Sequence, residues 1–99
     1  MVKLTILYRT PVSAADFETR YNQNLAFMEK MPGIKRRQAC VVWGNPAGNS
    51  PFARILELYF DSRDDLDKAL LSPEGRQAGG DLMQFARDSE LLFSDVYED

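Results

Sequence analysis

The chain has no histidine among its 99 residues. That removes the side chain that most often exchanges protons near neutral pH and most often ligates transition metals. Cysteine is nearly absent as well. Cys40 stands alone, so neither an intrachain disulfide nor a Cys–His nucleophile can form. Zinc or haem held by the usual protein ligands has no ligand set here, and a carboxylate-only metal site lacks any supporting loop pattern. Ser-His-Asp and glycine-rich nucleotide spacings are missing too, and the expectation is a protein without metal or cofactor. No apolar run approaches membrane-spanning length, and the residues around Lys3 alternate in character where a signal peptide would be uniformly apolar. A cytoplasmic location with no membrane partner is expected by default. An excess of positive charge is also lacking. Twelve Lys and Arg stand against fifteen Asp and Glu, a net charge of −3, which gives no electrostatic basis for binding nucleic acid. The run Lys35-Arg36-Arg37 opens a strand, where alternation sends its members to opposite faces, and reads as solvated.

What is present suits one globular domain over residues 1–99, with 44% apolar and 11% aromatic residues. The best-specified stretch runs from Phe17 to Gly33. Phe17, Tyr21, Leu25 and Met28 fall at i, i+4, i+8 and i+11, one stripe of a helical period, while Glu18, Arg20, Gln23, Glu29 and Lys30 fall largely elsewhere. Ser13 with Asp16 three residues on marks the helix start, and Pro32-Gly33 its end.

Around this helix the chain divides in order. Residues Met1 to Arg9 alternate, with Val2, Leu4, Ile6 and Tyr8 on one side of a strand. Ile34 to Trp43 reads as a second strand in which Cys40 is a small apolar filler, residues 44–51 as a loop dense in turn formers, and Phe52 to Phe60 as a third strand. Ser62 with Asp65 begins a second helical region, with Leu66, Ala69 and Leu70 as its buried stripe. Ser72-Pro73-Glu74 starts it again, Phe85 lies on the apolar side of that piece, and Gly79-Gly80 is a weak point inside it. A last strand spans Leu91 to Tyr97 before an acidic tail, Glu98-Asp99.

The order strand, helix, strand, strand, helix, strand predicts an α+β ferredoxin-like βαββαβ fold, with both helical layers on one side of a four-stranded antiparallel sheet. The other side calls for a cover. Ile55 and Tyr59 oppose Leu56 and Leu58, and Leu92 and Val96 oppose Leu91, Phe93 and Tyr97. A sheet with apolar residues on both faces predicts a homodimer with sheets packed face to face.

Several pieces of this sequence resemble the EthD family, named for ethyl tert-butyl ether degradation. They are Phe17-Glu18-x-x-Tyr21, Met31-Pro32-Gly33-Ile34, Leu56 to Asp61, Ser72-Pro73-Glu74-Gly75 and the Phe93 to Tyr97 end. The resemblance covers essentially the whole chain and implies a dimeric α+β barrel whose pocket lies between each sheet and its own helices. Some members of that superfamily are cofactor-independent oxygenases, isomerases or decarboxylases, others bind haem, and EthD-like sequences are often labelled reductases. The family helix usually carries Tyr-x-x-x-His-x-Pro-Leu, and here those positions are Tyr21, Leu25, Phe27 and Met28. Chemistry that depends on that imidazole is lost, and Leu25 and Phe27 make the helix face more apolar.

Tyr8, Tyr21, Tyr59 and Trp43 are aromatic bodies with a polar tip, suited either to a pocket or to a satisfied place in the core or an interface. Tyr21 is the candidate catalytic residue. Tyr8, Tyr21, Asn24, Leu25, Phe27 and Phe85 are the candidate ligand-binding set, with Asn24 equally readable as a solvated amide at the helix edge. Arg54, a charge inside an apolar strand, needs a carboxylate, an interface or an anionic ligand. Three readings follow: a homodimer binding an apolar or aromatic small molecule between sheet and first helix, accessory to a catabolic oxidation; a cofactor-free enzyme using a pocket tyrosine; and a non-catalytic dimeric scaffold whose pocket Leu25 has closed.

Overall fold

The computed structural model describes residues 1–98. Asp99, half of the acidic tail, lies outside the described residues. The elements are β1 (Val2–Arg9), α1 (Ala14–Met28), β2 (Arg36–Val41), β3 (Phe52–Phe60), α2 (Arg63–Leu71), α3 (Pro73–Phe85) and β4 (Glu90–Asp95). The strands form a four-stranded sheet in the order β2-β3-β1-β4, every neighbouring pair antiparallel. This is the α+β ferredoxin-like arrangement that the element order predicts.

Each helix starts where a serine can accept an otherwise orphaned amide. The side chains of Ser13, Ser62 and Ser72 accept from the amides of Asp16, Asp65 and Gly75, and Pro73 occupies the first turn of α3, where its missing N–H costs nothing. The break at Ser72 splits the second helical region in two. Around that break α2 and α3 come close, because a Cβ on Gly75 would fall well inside contact distance of the Ala69 and Leu70 carbonyls. Gly79 and Gly80 show the opposite. Nothing lies within 4 Å of a Cβ added to either, and α3 runs through both without a break.

The helix layer covers only the middle of the sheet. Val2, Leu4, Ile6 and Tyr8 of β1 and Leu56, Leu58 and Phe60 of β3 are buried beneath Phe17, Tyr21, Met28, Leu66, Ala69, Ala78 and Leu82. Each large side chain so buried contributes roughly 1.5–3 kcal/mol relative to exposure. Both edge strands remain uncovered: every residue of β2 and of β4 is exposed. Cys40 is exposed rather than a buried filler, because its register turns it to the face of the sheet that the helices do not cover. Trp43, past the end of β2, is 96% exposed and lines neither of the two clefts described below. The first helix also ends earlier than Pro32-Gly33 suggests, at Met28. Lys30 and Met31 continue the chain with tighter bonds, to the carbonyls of Phe27 and Met28 at 3.1 and 3.2 Å, and Gly33 then turns with φ +84°.

Register places Lys3, Thr5 and Leu7 of β1 beside Glu57, Ile55 and Tyr59 of β3, Leu92 and Ser94 of β4, and Arg36, Gln38 and Cys40 of β2, on the face away from the helices. This face is mixed rather than uniformly apolar. Lys3 bonds Glu57 near its middle, and the Tyr59 hydroxyl donates to Gln38 Oε1 at 3.2 Å.

Candidate functional site

An aromatic cluster forms where the end of β1 meets α1 and the end of α3. Tyr8 comes from the buried face of β1, Phe17 and Tyr21 from successive turns of one side of α1, and Phe85 from the last turn of α3. Tyr8 meets Phe17 and Tyr21 edge-on, with centroids 5.7 and 5.3 Å apart, and stacks on Phe85 at 6.4 Å. Such edge and offset arrangements favour the ring quadrupoles, each pair contributing about 0.5–1.5 kcal/mol beyond burial.

A cleft of about 320 Å³ opens beside this cluster. Tyr8, Phe17, Phe85 and Ala86 supply its apolar lining; Arg9, Ser13, Asp16, Arg20 and Asp88 supply polar groups around it. It is a half-open slot with an aromatic wall and charge of both signs at the rim. A second cleft, of about 360 Å³, lies at the opposite end of β1 between α2 and β4, next to the exposed Arg63–Asp95 ion pair.

The residues expected to bind a ligand are only partly brought together. Tyr8 and Phe85 line the cleft. Tyr21 sits behind Phe17, stacked on it at 5.6 Å, and is 3% exposed. Asn24 is not a solvated helix-edge amide. It is 1% exposed, and its Nδ2 donates to the Ala78 carbonyl at 3.0 Å and to Asp81 Oδ2 at 2.9 Å. Asp81 also takes Arg20 Nη2 at 3.0 Å, so Asn24 and Arg20 together clamp α1 to α3. Leu25 and Phe27 are half-buried against the core and line neither cleft.

Sequence reasoning placed Phe17 in the core stripe and missed it as a lining residue. It left the partner of Arg54 open. Arg54 lies on the helix face of β3, directly across from Tyr8 in the ladder. Its guanidinium bonds Glu18 and stands 4.5 Å from the Tyr21 ring centroid and 5.6 Å from that of Phe17. The signal was present in the sequence as a charge at a position that alternation turns toward the helices.

Burial pushes the Tyr8 hydroxyl well above the ordinary tyrosine range; nearby Tyr21 adds to this and Arg54 opposes it. Tyr21 moves the same way, again mainly through burial, with Arg54 opposing. Both therefore hold their protons at neutral pH. Yet neither hydroxyl has a hydrogen-bond partner of normal geometry, and neither does Arg54 Nε. No group of three or more cysteine or acidic side chains among the described residues could hold a metal ion. No helix of the described residues is long and apolar enough to cross a membrane.

Comparison with known proteins agrees with this architecture. No protein-family model matches the sequence. An uncharacterised 11.0 kDa protein of the thcB–thcC intergenic region of Rhodococcus erythropolis is 34% identical over 98 residues, which is 96% of this chain and 94% of that protein. The crystal structure of an ethyl tert-butyl ether degradation (EthD) family protein from Bacillus halodurans C-125 matches with a TM-score of 0.95 and 31% identity, over 98% of this chain and 99% of that one. A dimeric ferredoxin-like protein of unknown function from Thermobifida fusca shares the fold at a TM-score of 0.72 and 16% identity, over 96% and 90% of the two chains. A TM-score of 0.95 at 31% identity, with near-complete coverage of both chains, means that the chain belongs to the EthD family.

Proposed function

We propose that the protein is a homodimer that binds a small apolar or aromatic molecule in the cleft between the sheet and the first helix, as an accessory to a catabolic oxidation. The single observation that carries this reading is the 320 Å³ cleft with Tyr8, Phe17 and Phe85 in its lining. Three aromatic side chains beside a half-open slot give a flat apolar ligand a desolvated surface, and the rim charges orient any polar group it carries. The family name, which ties relatives to ether degradation, supports the catabolic setting. Support for the dimer comes from the uncovered face of the sheet, from the exposed Leu91, Leu92 and Phe93 of β4, and from the dimeric description of the Thermobifida fusca neighbour.

A second reading is a cofactor-free enzyme, favoured by the buried and unpartnered hydroxyl of Tyr21. As a protonated donor, Tyr21 would polarise a substrate carbonyl rather than abstract a proton. Under that reading Tyr21→Phe abolishes turnover while largely sparing binding.

Toluene tests the binding reading. At about ten times its dissociation constant it raises the melting temperature by on the order of 5–10 °C, and amide NMR shifts concentrate in residues 8–17 and 85–88. The absence of any shift, or shifts centred on α2 and β4, would sink the reading.

A further inference from the structure

We infer that Tyr8, Tyr21 and Arg54 form an oxygen-binding subsite, so that the ligand is an aromatic or enolic molecule carrying a carbonyl or phenolate oxygen. The inference rests on the reading that a ligand occupies the adjoining cleft. Three buried polar groups meet here without a hydrogen bond of normal geometry: the hydroxyls of Tyr8 and Tyr21, on residues 0% and 3% exposed, and Nε of Arg54. They belong to one neighbourhood, since the two tyrosine rings are 5.3 Å apart, Arg54 stands 4.5 Å from the Tyr21 ring, and Arg54 faces Tyr8 across the ladder.

What the three share is the ability to donate. An arginine Nε–H can only donate, and a protonated tyrosine hydroxyl has one proton to donate besides its capacity to accept, so together the three groups carry more donors than their own lone pairs satisfy in the observed geometry. The one carboxylate bonded to Arg54, that of Glu18, is half exposed and takes Nη2 at the solvent edge, which leaves Nε free on the buried side. Buried donors without an acceptor are costly, each on the scale of an unmade hydrogen bond. An incoming oxygen with several lone pairs meets that need, and an anionic oxygen meets it best because charge-assisted bonds are about twice as strong. Tyr8 belongs to both the donor group and the cleft lining, with Tyr21 and Arg54 behind that lining, so the oxygen of a ring lying against Phe17 and Phe85 would reach the donors past Tyr8. The apolar wall sets the body of the ligand, and the donors set its head.

Two fluorinated probes of similar shape separate body from head. Pentafluorophenol is ionised at neutral pH, whereas pentafluorobenzene has no oxygen, and fluorine NMR reads the affinity of each for the full chain. The expected result is pentafluorophenolate binding roughly tenfold more tightly than pentafluorobenzene. Tyr21→Phe and Arg54→Met each remove most of that preference. If a variant fails to fold, the ionisation of the probe bound to the unaltered protein decides: a bound pKa about one unit below the free value supports the subsite, and an unshifted one overturns it. Equal affinity for the two probes, or a preference untouched by both substitutions, overturns the subsite while the cleft stands. Binding of neither probe overturns both. A bound structure with water at the two tyrosine hydroxyls and the probe oxygen elsewhere also overturns it.

Discussion

Tyr8 carries an ionisable hydroxyl into a fully buried place where no acceptor waits. Burial raises its pKa in the folded chain above the unfolded value near 10, so the folded state keeps a proton that the unfolded state gives up. The stability tied to this group is complete below about pH 10 and is lost as pH rises beyond it, by up to about 1.4 kcal/mol per pH unit. Tyr8→Phe should flatten the alkaline fall in urea midpoint and leave neutral-pH stability equal or raised by about 1 kcal/mol, since it also deletes an unpartnered polar atom. An unchanged alkaline slope in the variant would refute this. That Tyr8, Tyr21 and Phe85 pack together between sheet and helices was legible in the sequence, because an aromatic side chain on an apolar stripe announces both its face and its size. The place of Asn24 was not, because a polar residue beside such a stripe looks solvated until its partner is known. That partner, Asp81, lies 57 positions away. Arg54 was half legible: a charge inside an apolar strand announced its need for a partner, but its neighbours arrive from another element.

Among the elements, the helix starts were readable because a serine followed three residues later by an available amide is a local device, complete within one turn. Helix ends and reach were not, because they depend on what else packs nearby. Glycine shows the same divide. Gly79-Gly80 looked like the vulnerable pair, yet both face open space, whereas Gly75 lies against the carbonyls that end α2. Gly79→Ala and Gly80→Ala should each stabilise the fold by about 0.5–1 kcal/mol through helix propensity. Gly75→Ala should destabilise it by roughly 2 kcal/mol or more, because backbone must move to admit the methyl group. Chemical denaturation of the three variants checks the pattern, and a Gly75→Ala protein as stable as the parent would contradict the close approach of α2 and α3.

For the whole molecule, the uncovered face makes the association state the decisive quantity. Light scattering at micromolar concentration should give twice the 11.3 kDa chain mass. Leu92→Glu, on the face away from the helices, should return the single-chain mass, and Met83→Glu, exposed on α3, should not. A parent protein that runs as a monomer would leave that face wet and refute the dimer. The four-stranded order was legible because period-two and period-3.6 stretches alternate cleanly along the chain. The makeup of the outer face was less so, since register decides which residues stand side by side. Register is what brings Lys3 against Glu57 near the middle of that surface. A copy settling there out of alignment would press hydrocarbon onto one ion and pull it from its counter-charge, a penalty of several kcal/mol. In the proposed dimer this pair would act as a keyway, its charge disfavouring seatings of the second sheet that are out of alignment.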